Sequence, residues 1–234
     1  ILKRKLIYIS NIRLTESVLD DYYIDYNLGK GAEIEYWDVV ALHRNEYDER
    51  GTLNVNYLKY IKTYEVLDDF LSRAENQDAI FVMLLAYNFS NIKLFRILSS
   101  KNSKMVYIFS GIMPTGKLVP KYQRLIHNFF VNPFEFLKNT SDFLLLKFYE
   151  KFEIINPFEL EFVTGDIGIL KNSHSKKVVP INFFDYDNYK QLEFSKDVIV
   201  DYKFILFIDH NAPYHSDGLV LVDDEKYFKS INRV

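Results

Sequence analysis

The chain has 234 residues, of which 17% are Phe, Tyr or Trp and none is Cys, and its formal net charge is -3. A hydrophobic fraction of 48% and a charged fraction of 26% exclude a disordered, collagen-like or disulfide-stapled protein. The absence of Cys excludes Cys-based zinc sites and a Cys nucleophile. The slightly acidic balance argues against nucleic acid as a partner held by charge alone, and no apolar run reaches the roughly 18 residues of a membrane span.

The first half of the chain alternates short apolar runs with helical patterns. Residues 5–10 predict a buried strand, and a helix opens at Thr15 with an apolar face that includes Tyr22, Tyr23 and Tyr26. The elements predicted after it are strand 33–40, helix 65–74, strand 78–85, a helix from Ile92 and strand 104–109. Continuous apolar runs separated by helices are typical of a parallel sheet covered on both faces.

The second half continues this pattern. Residues 121–130 and 133–151 predict helices, and strands are predicted at 158–163, 177–183 and 203–208. We therefore expect an α/β protein with a Rossmann-like, doubly wound, mostly parallel sheet. Residues 1–195 are predicted to form this domain. Residues 196–234 are predicted to begin a second, incomplete α/β domain or to return and pack on the first.

Polar residues follow three of the predicted strands, where open parallel sheets bind their ligands. Ser10 and Asn11 follow the first strand, Tyr87 and Asn88 the third, and Ser110-Gly111 the fourth. These residues are the predicted substrate contacts.

The segment Gly111-Ile-Met-Pro-Thr-Gly-Lys117 resembles a phosphate-binding P-loop after a strand. Leu118 stands where that motif requires Ser or Thr to hold magnesium, and Pro114 removes an N–H donor from the cradle. The favoured interpretation is a Gly/Pro turn that closes the strand, with a nucleotidase or kinase as the alternative.

Two further segments combine carboxylates and histidines. Asp185 and Asp187 could hold a divalent cation, or Asp185 could cap a helix that continues through Tyr189; the cap is favoured. Asp209, His210, His215 and Asp217 lie within nine residues around Pro213. They could ligate a metal, contact substrate with His215 as a general base, or form a structural loop.

Three stretches together resemble bacterial capsular-polysaccharide and lipopolysaccharide biosynthesis proteins, which are glycosyltransferase-like proteins of the GT-B type. They are residues 5–11 with the acidic, Tyr-rich helix that follows, residues 183–189, and residues 204–209 with Pro213, His215 and Asp217. The resemblance covers the first of the two Rossmann-like domains of such proteins, the acceptor-type domain, and the opening of the second.

The resemblance implies transfer of a sugar from a nucleotide-sugar donor to a glycan acceptor in the cytoplasm, including the cytoplasmic face of the inner membrane. It implies no metal and no cofactor apart from the donor substrate. Asp185 and His215 are the candidate catalytic bases, with Asp187 and Asp209 among the substrate contacts. In this family the second domain mainly holds the donor, so the alternative function is a non-catalytic binding or scaffolding module of the same pathway.

Overall fold

The computed structural model describes residues 5–43, 52–109, 129–164 and 173–182, together with Tyr186 and Lys190. The strands in these ranges are β1 (Lys5–Ser10), β2 (Glu33–Asp38), β3 (Leu58–Tyr60), β4 (Ile80–Met83), β5 (Lys104–Phe109), β6 (Leu160–Thr164) and β7 (Val178–Ile181). The helices are α1 (Glu16–Asp21), α2 (Ile24–Gly29), α3 (Tyr64–Ser72), α4 (Ile92–Ser100) and α5 (Pro133–Lys151).

The seven strands form one parallel sheet in the order β3-β2-β1-β4-β5-β6-β7. The chain starts at β1, moves outward through β2 to β3, and then crosses back to place β4 on the other side of β1. This order confirms the predicted doubly wound, Rossmann-like α/β fold. Its topological switch point lies between β1 and β4.

The sheet is covered on both faces, which explains why its strands are apolar at consecutive positions. Ile7, Ile9 and Trp37 face one core, which α3, α4 and the last turns of α5 cover. Tyr8 and Tyr36 face the opposite core, which α1, α2 and part of the segment 52–58 cover.

Side-chain caps set the starts of three helices. The hydroxyls of Thr15 and Thr63 accept hydrogen bonds from the amides of Val18 and Val66, at 3.4 and 3.3 Å. At the start of α5, Asn132 Oδ1 accepts a hydrogen bond from the Glu135 amide at 3.3 Å, and Pro133 is the first helical residue. The predicted starts agree with the structure for α1 and α5, and the helix predicted from residue 65 begins one residue earlier, at Tyr64.

The helix predicted after Thr15 is two helices, which corrects the interpretation of its aromatic face. α1 ends at Asp21, and Tyr23 adopts a left-handed conformation before α2 begins. The break turns Tyr23 and Tyr26 away from the core, so that 47% and 62% of their surfaces are exposed. β3 was not predicted, because three half-buried residues give too short a pattern.

The helix predicted at 121–130 is described only at its last two residues, and strand 203–208 and the segment 196–234 lie outside the described residues. None of the helices described is both long and apolar enough to span a bilayer.

Candidate functional site

The switch-point edge is the edge of the sheet formed by residues 10–15 after β1 and residues 84–91 after β4. The amide of Leu84 donates to the carbonyl of Ile9 at 2.9 Å, so β4 stays paired with β1 up to this edge. Paired parallel strands lie about 4.8 Å apart, and the two segments therefore emerge side by side. Ser10, Asn11, Tyr87 and Asn88, which the sequence predicts as substrate contacts, are brought to this one edge.

The turn after β1 is held by internal hydrogen bonds. The buried Ser10 hydroxyl accepts from the Ile12 amide at 3.0 Å, and the Tyr36 hydroxyl donates to the Ile12 carbonyl at 2.7 Å. Burial raises the pKa of Tyr36 far above its ordinary value, so this phenol keeps its proton and remains a donor. Ser10 therefore shapes the turn, whereas the half-buried Asn11 is the turn's side chain nearer to solvent.

The segment after β4 is also fixed from within. The buried Asn91 amide nitrogen Nδ2 donates to the Ala86 carbonyl at 2.7 Å, and the Tyr107 hydroxyl accepts from the Tyr87 amide at 3.3 Å. Asn88 is exposed, and its Oδ1 caps the following helical turn by accepting from the Asn91 amide at 3.3 Å. Nδ2 of Asn88 is the part of this side chain that capping does not use.

The Tyr87 side chain turns back into the core instead of out to solvent. Its ring packs edge-on against Phe95 and Phe158, with ring centroids 5.0 and 5.2 Å away, and it stacks on His174 at 5.9 Å. Burial and then the negative charge of Glu150 raise the pKa of Tyr87 well above its ordinary range. A protonated Tyr87 beside Glu150 links the β4 loop to helix α5.

Two buried oxygens of this pair, Tyr87 Oη and Glu150 Oε1, have no hydrogen-bond partner by distance and angle among the described residues. They are complementary, since a phenol donates and a carboxylate accepts.

Sequence reasoning missed three residues of this region. Asp38 ends β2, is 2% exposed, and its Oδ1 accepts from the Val40 amide at 2.9 Å. The strand-end rule did not find it, because the strand was predicted to run on to residue 40 whereas β2 ends at Asp38. Asn91 bonds within its own segment, to the carbonyl of Ala86, in a pattern that no motif marks. Glu150 carries no local signal, because its role depends on Tyr87 in another element.

The remaining predicted site residues lie outside the described residues. They are Ser110, Gly111, Asp185, Asp187, Asp209 and His215. Their roles stay predictions, as does the turn proposed for residues 111–117. Within the described ranges, no three His, Asp or Glu side chains are grouped closely enough to hold a metal ion.

A concave feature lies on the sheet face beside α1 and α2. This aromatic pocket, of about 470 Å³, is lined by Tyr8, Tyr22, Tyr23, Tyr26, Asn27, Val82, Val106, Ile108 and Phe162. The Asn27 amide nitrogen donates to the Tyr8 hydroxyl at 3.1 Å. The volume falls in the range of small-molecule sites, and phenol hydroxyls and one amide supply the lining's polar groups.

Strand order and switch-point edge together define a Rossmann-like α/β domain. By sequence, no protein-family model and no curated protein matches this chain. Among solved structures it is similar to dTDP-glucose 4,6-dehydratase from Bacillus anthracis in complex with NAD, with TM-score 0.36 and 13% identity over 69% of this chain and 54% of that one. It is also similar to the enzyme WbmH from Bordetella bronchiseptica in complex with NAD+, with TM-score 0.34 and 10% identity over 70% of this chain and 56% of that one. The chain thus spans about half the length of each, and these values are too low to transfer a ligand or an activity.

The turn after β1 does not fit a dinucleotide in the usual Rossmann manner. That mode needs a Gly-rich turn that lets the pyrophosphate approach the backbone at a helix N-terminus. Here residues 10–15 read Ser-Asn-Ile-Arg-Leu-Thr without a glycine, and α1 has only six residues. Thr15 already accepts the hydrogen bond of the Val18 amide at that terminus.

Proposed function

We propose that this domain is the acceptor-type domain of a glycosyltransferase-like protein in bacterial surface-polysaccharide synthesis. The observation that carries the proposal is the pair of amide side chains, Asn11 and Asn88, at the switch-point edge. The Asn11 amide can donate and accept, and Asn88 Nδ2 can donate, which suits the hydroxyl groups of a neutral glycan. The turn after β1, by contrast, lacks the glycines of a phosphate cradle.

In this proposal the glycan acceptor lies along the switch-point edge, and the nucleotide sugar is the donor substrate. Asp185 or His215 would remove the proton from the attacking hydroxyl as a general base. Asn11 and Asn88 would bind and orient the acceptor, and the hydrogen bonds of Ser10, Tyr36 and Asn91 would hold their segments in place.

A ligand-stabilisation experiment tests acceptor binding. The melting temperature of the protein is measured with neutral oligosaccharides, with UDP-, GDP- and CMP-sugars, with ATP and with NAD. We expect oligosaccharides to stabilise it, because a ligand at 100 times its Kd adds about 2.7 kcal/mol. Stabilisation by ATP or NAD alone would contradict the proposal.

Matched variants locate the binding site. Asn88→Asp keeps the capping oxygen and replaces the Nδ2 donor with a charged carboxylate oxygen, and Asn11→Ala removes the other amide. Each is expected to weaken oligosaccharide binding about tenfold, the effect of one lost hydrogen bond of about 1.4 kcal/mol. The control is Gln77→Ala, which removes an exposed amide at the opposite edge of the sheet and should bind as wild type does. Equal affinity of all three variants would rule out this edge.

The second candidate function is a non-catalytic binding or scaffolding module of the same pathway. The observation in its favour is the exposed apolar surface of helix α5, which suits contact with another protein. Sugar transfer that is unchanged by Asp185→Asn and by His215→Ala would rule out both proposed bases, whereas absence of transfer by the wild-type protein that binds oligosaccharide would support this candidate. Loss of transfer in either variant, with oligosaccharide binding retained, would support the enzyme.

A further inference from the structure

Helix α5 carries an apolar surface that the described residues of the chain leave exposed. Of its 19 residues none is buried. Leu146 and Tyr149 pack against the core, and the Arg96 guanidinium lies 5.2 Å from the centre of the Tyr149 ring. These contacts fix the last turns of the helix and leave its other side to solvent.

The exposed side forms a continuous stripe along the helix. Its members are Phe134, Leu137, Ser141, Leu144, Leu145 and Phe148, and the five apolar ones are 42% to 85% exposed. At 100° per residue these positions span about 100° of the helix surface. Leu146 and Tyr149 lie outside that arc, so the stripe points away from the core.

Four of the five apolar members of the stripe are arranged symmetrically about Ser141; the exception is Leu144, whose counterpart three residues before Ser141 is Lys138. Phe134 and Phe148 lie seven residues on either side of it, and Leu137 and Leu145 lie four residues on either side. A two-fold axis through Ser141 reverses the helix direction. It therefore sets Phe134 of one copy beside Phe148 of another, and Leu137 beside Leu145, which is the self-complementarity that an isologous dimer requires.

The area of the stripe also fits a dimer. Five side chains of roughly 200 Å² each, a little over half exposed on average, offer roughly 600 Å² on each copy. Two copies would bury roughly 1,200 Å², the lower bound for specific protein interfaces. A patch of this size is at the upper limit of what monomers leave exposed.

We propose that the α5 stripe is a homodimer interface in which two copies of this chain pair their α5 helices antiparallel, with Ser141 at the two-fold axis. The small side chain of Ser141 permits the closest approach of the two helices. This inference goes beyond the proposed function and does not depend on it, because no sugar contact enters the argument.

Sedimentation equilibrium tests the interface. The wild-type protein is expected to be dimeric at about 50 μM, and Ser141→Lys and Ser141→Glu are each expected to be monomeric, because like charges then meet on the axis. An equimolar mixture of these two variants is expected to restore the dimer. Since Ser141 is exposed, both variants should keep the wild-type circular dichroism spectrum.

Cross-linking tests the direction of the helices, and the absence of native Cys makes it specific. In a mixture of Leu137→Cys and Leu145→Cys proteins, a short bis-maleimide is expected to join the two kinds of chain, and each variant alone should cross-link at least fivefold less. Asn139→Cys, on another face of α5, is the control. Self-cross-linking of Leu137→Cys as efficient as in the mixture would overturn the antiparallel arrangement.

Two outcomes would overturn the interface altogether. One is a wild-type protein that stays monomeric up to about 200 μM. The other is a monomer that co-sediments with phosphatidylcholine vesicles and loses this property in Leu144→Glu, since the stripe would then bind lipid and not a second copy.

Discussion

Tyr23 has a backbone conformation that large side chains seldom adopt. Its φ of 54° and ψ of 34° lie in the left-handed region. In this region a residue with a Cβ lowers the stability of the fold by about 1–2 kcal/mol. It forms the break between α1 and α2 and lies at the rim of the aromatic pocket. The break lets four tyrosines, of which Tyr8 comes from the sheet, surround one cavity.

Replacing Tyr23 with Gly should therefore stabilise the protein despite the loss of the ring. We expect Tyr23→Gly to raise the free energy of unfolding by about 0.5–1 kcal/mol. Tyr26→Gly is the control: it removes a still more exposed tyrosine from within α2 and should lower that free energy by about 1 kcal/mol. Urea denaturation measures both, and a Tyr23→Gly protein as unstable as Tyr26→Gly would show that the left-handed conformation carries no strain.

At this scale the sequence predicts positions better than roles. Strand ends identify Ser10 and Asn88, because polar residues there interrupt an apolar run. They do not indicate that Ser10 binds its own turn, or that Tyr87 folds back against Phe158. The Ser10 contact depends on the backbone geometry of its turn. The Tyr87 contact depends on a residue 71 positions away in the chain, and a local pattern contains neither.

At the scale of elements, one buried ion pair joins β1 to β2 at the edge opposite the candidate site. Lys5 is 8% exposed, and its Nζ lies 2.8 Å from Glu35 Oε1; Trp37 Nε1 donates to Glu35 Oε2 at 2.7 Å. Burial alone would raise the pKa of Glu35. The hydrogen bonds from Lys5 and Trp37 and the charges of Lys5 and Lys59 outweigh burial and lower it.

The lowered pKa makes strand pairing sensitive to acid. Glu35 contributes stability that is present above its unfolded-state pKa of about 4.3 and is lost as the pH falls through its lower folded-state pKa. We expect the wild-type protein to lose stability between pH 5 and pH 3 more steeply than Glu35→Gln does, as followed by thermal melts.

At pH 7 the same variant should be less stable than wild type by about 1–3 kcal/mol, because Lys5 loses its nearer carboxylate while it stays buried. Glu33→Gln is the control, since Glu33 is 58% exposed and 3.5 Å from Lys5, and it should cost at most about 0.5 kcal/mol. Parallel pH profiles for wild type and Glu35→Gln would refute the assignment.

Helices and strands could be predicted from the sequence where capping residues or long apolar patterns mark them. The prediction of 133–151 matches α5 at both ends, because Asn132 and Pro133 mark its start. The exposure of its Phe and Leu residues could not be predicted, since an apolar helical stripe is the usual sign of core packing. β3 could not be predicted either, because its pairing with β2 and not its composition makes it a strand.

For the whole molecule, the position of β1 inside the sheet should set the order of local stability. β1 is paired on both sides, with β2 and β4, whereas β7 pairs with β6 alone among the described strands. Amides of β1 and β4 are thus expected to exchange with deuterium at least tenfold more slowly than those of β7. Peptide-level mass spectrometry measures this, and equal protection of β1 and β7 would contradict it.

The fold class could be predicted from continuous apolar runs, but the strand order could not. Whether β4 pairs with β1 or with β3 depends on which face of the sheet the preceding helix α3 covers. No residue of α3 indicates that face in the sequence. The contact between Ile9 and Leu84 that defines the switch point thus becomes visible only in the assembled sheet.

The strand order also has a consequence for synthesis on the ribosome. Because β1 emerges before the other described strands and β2 and β3 add to one side of it, the other side of β1 is open to pairing with β4. β5, β6 and β7 then each meet a strand made just before them. Every described strand can join an existing edge as it leaves the ribosome, and none has to be inserted between two strands already paired. We expect the sheet to form progressively during translation, so that each apolar strand remains unpaired and exposed only briefly.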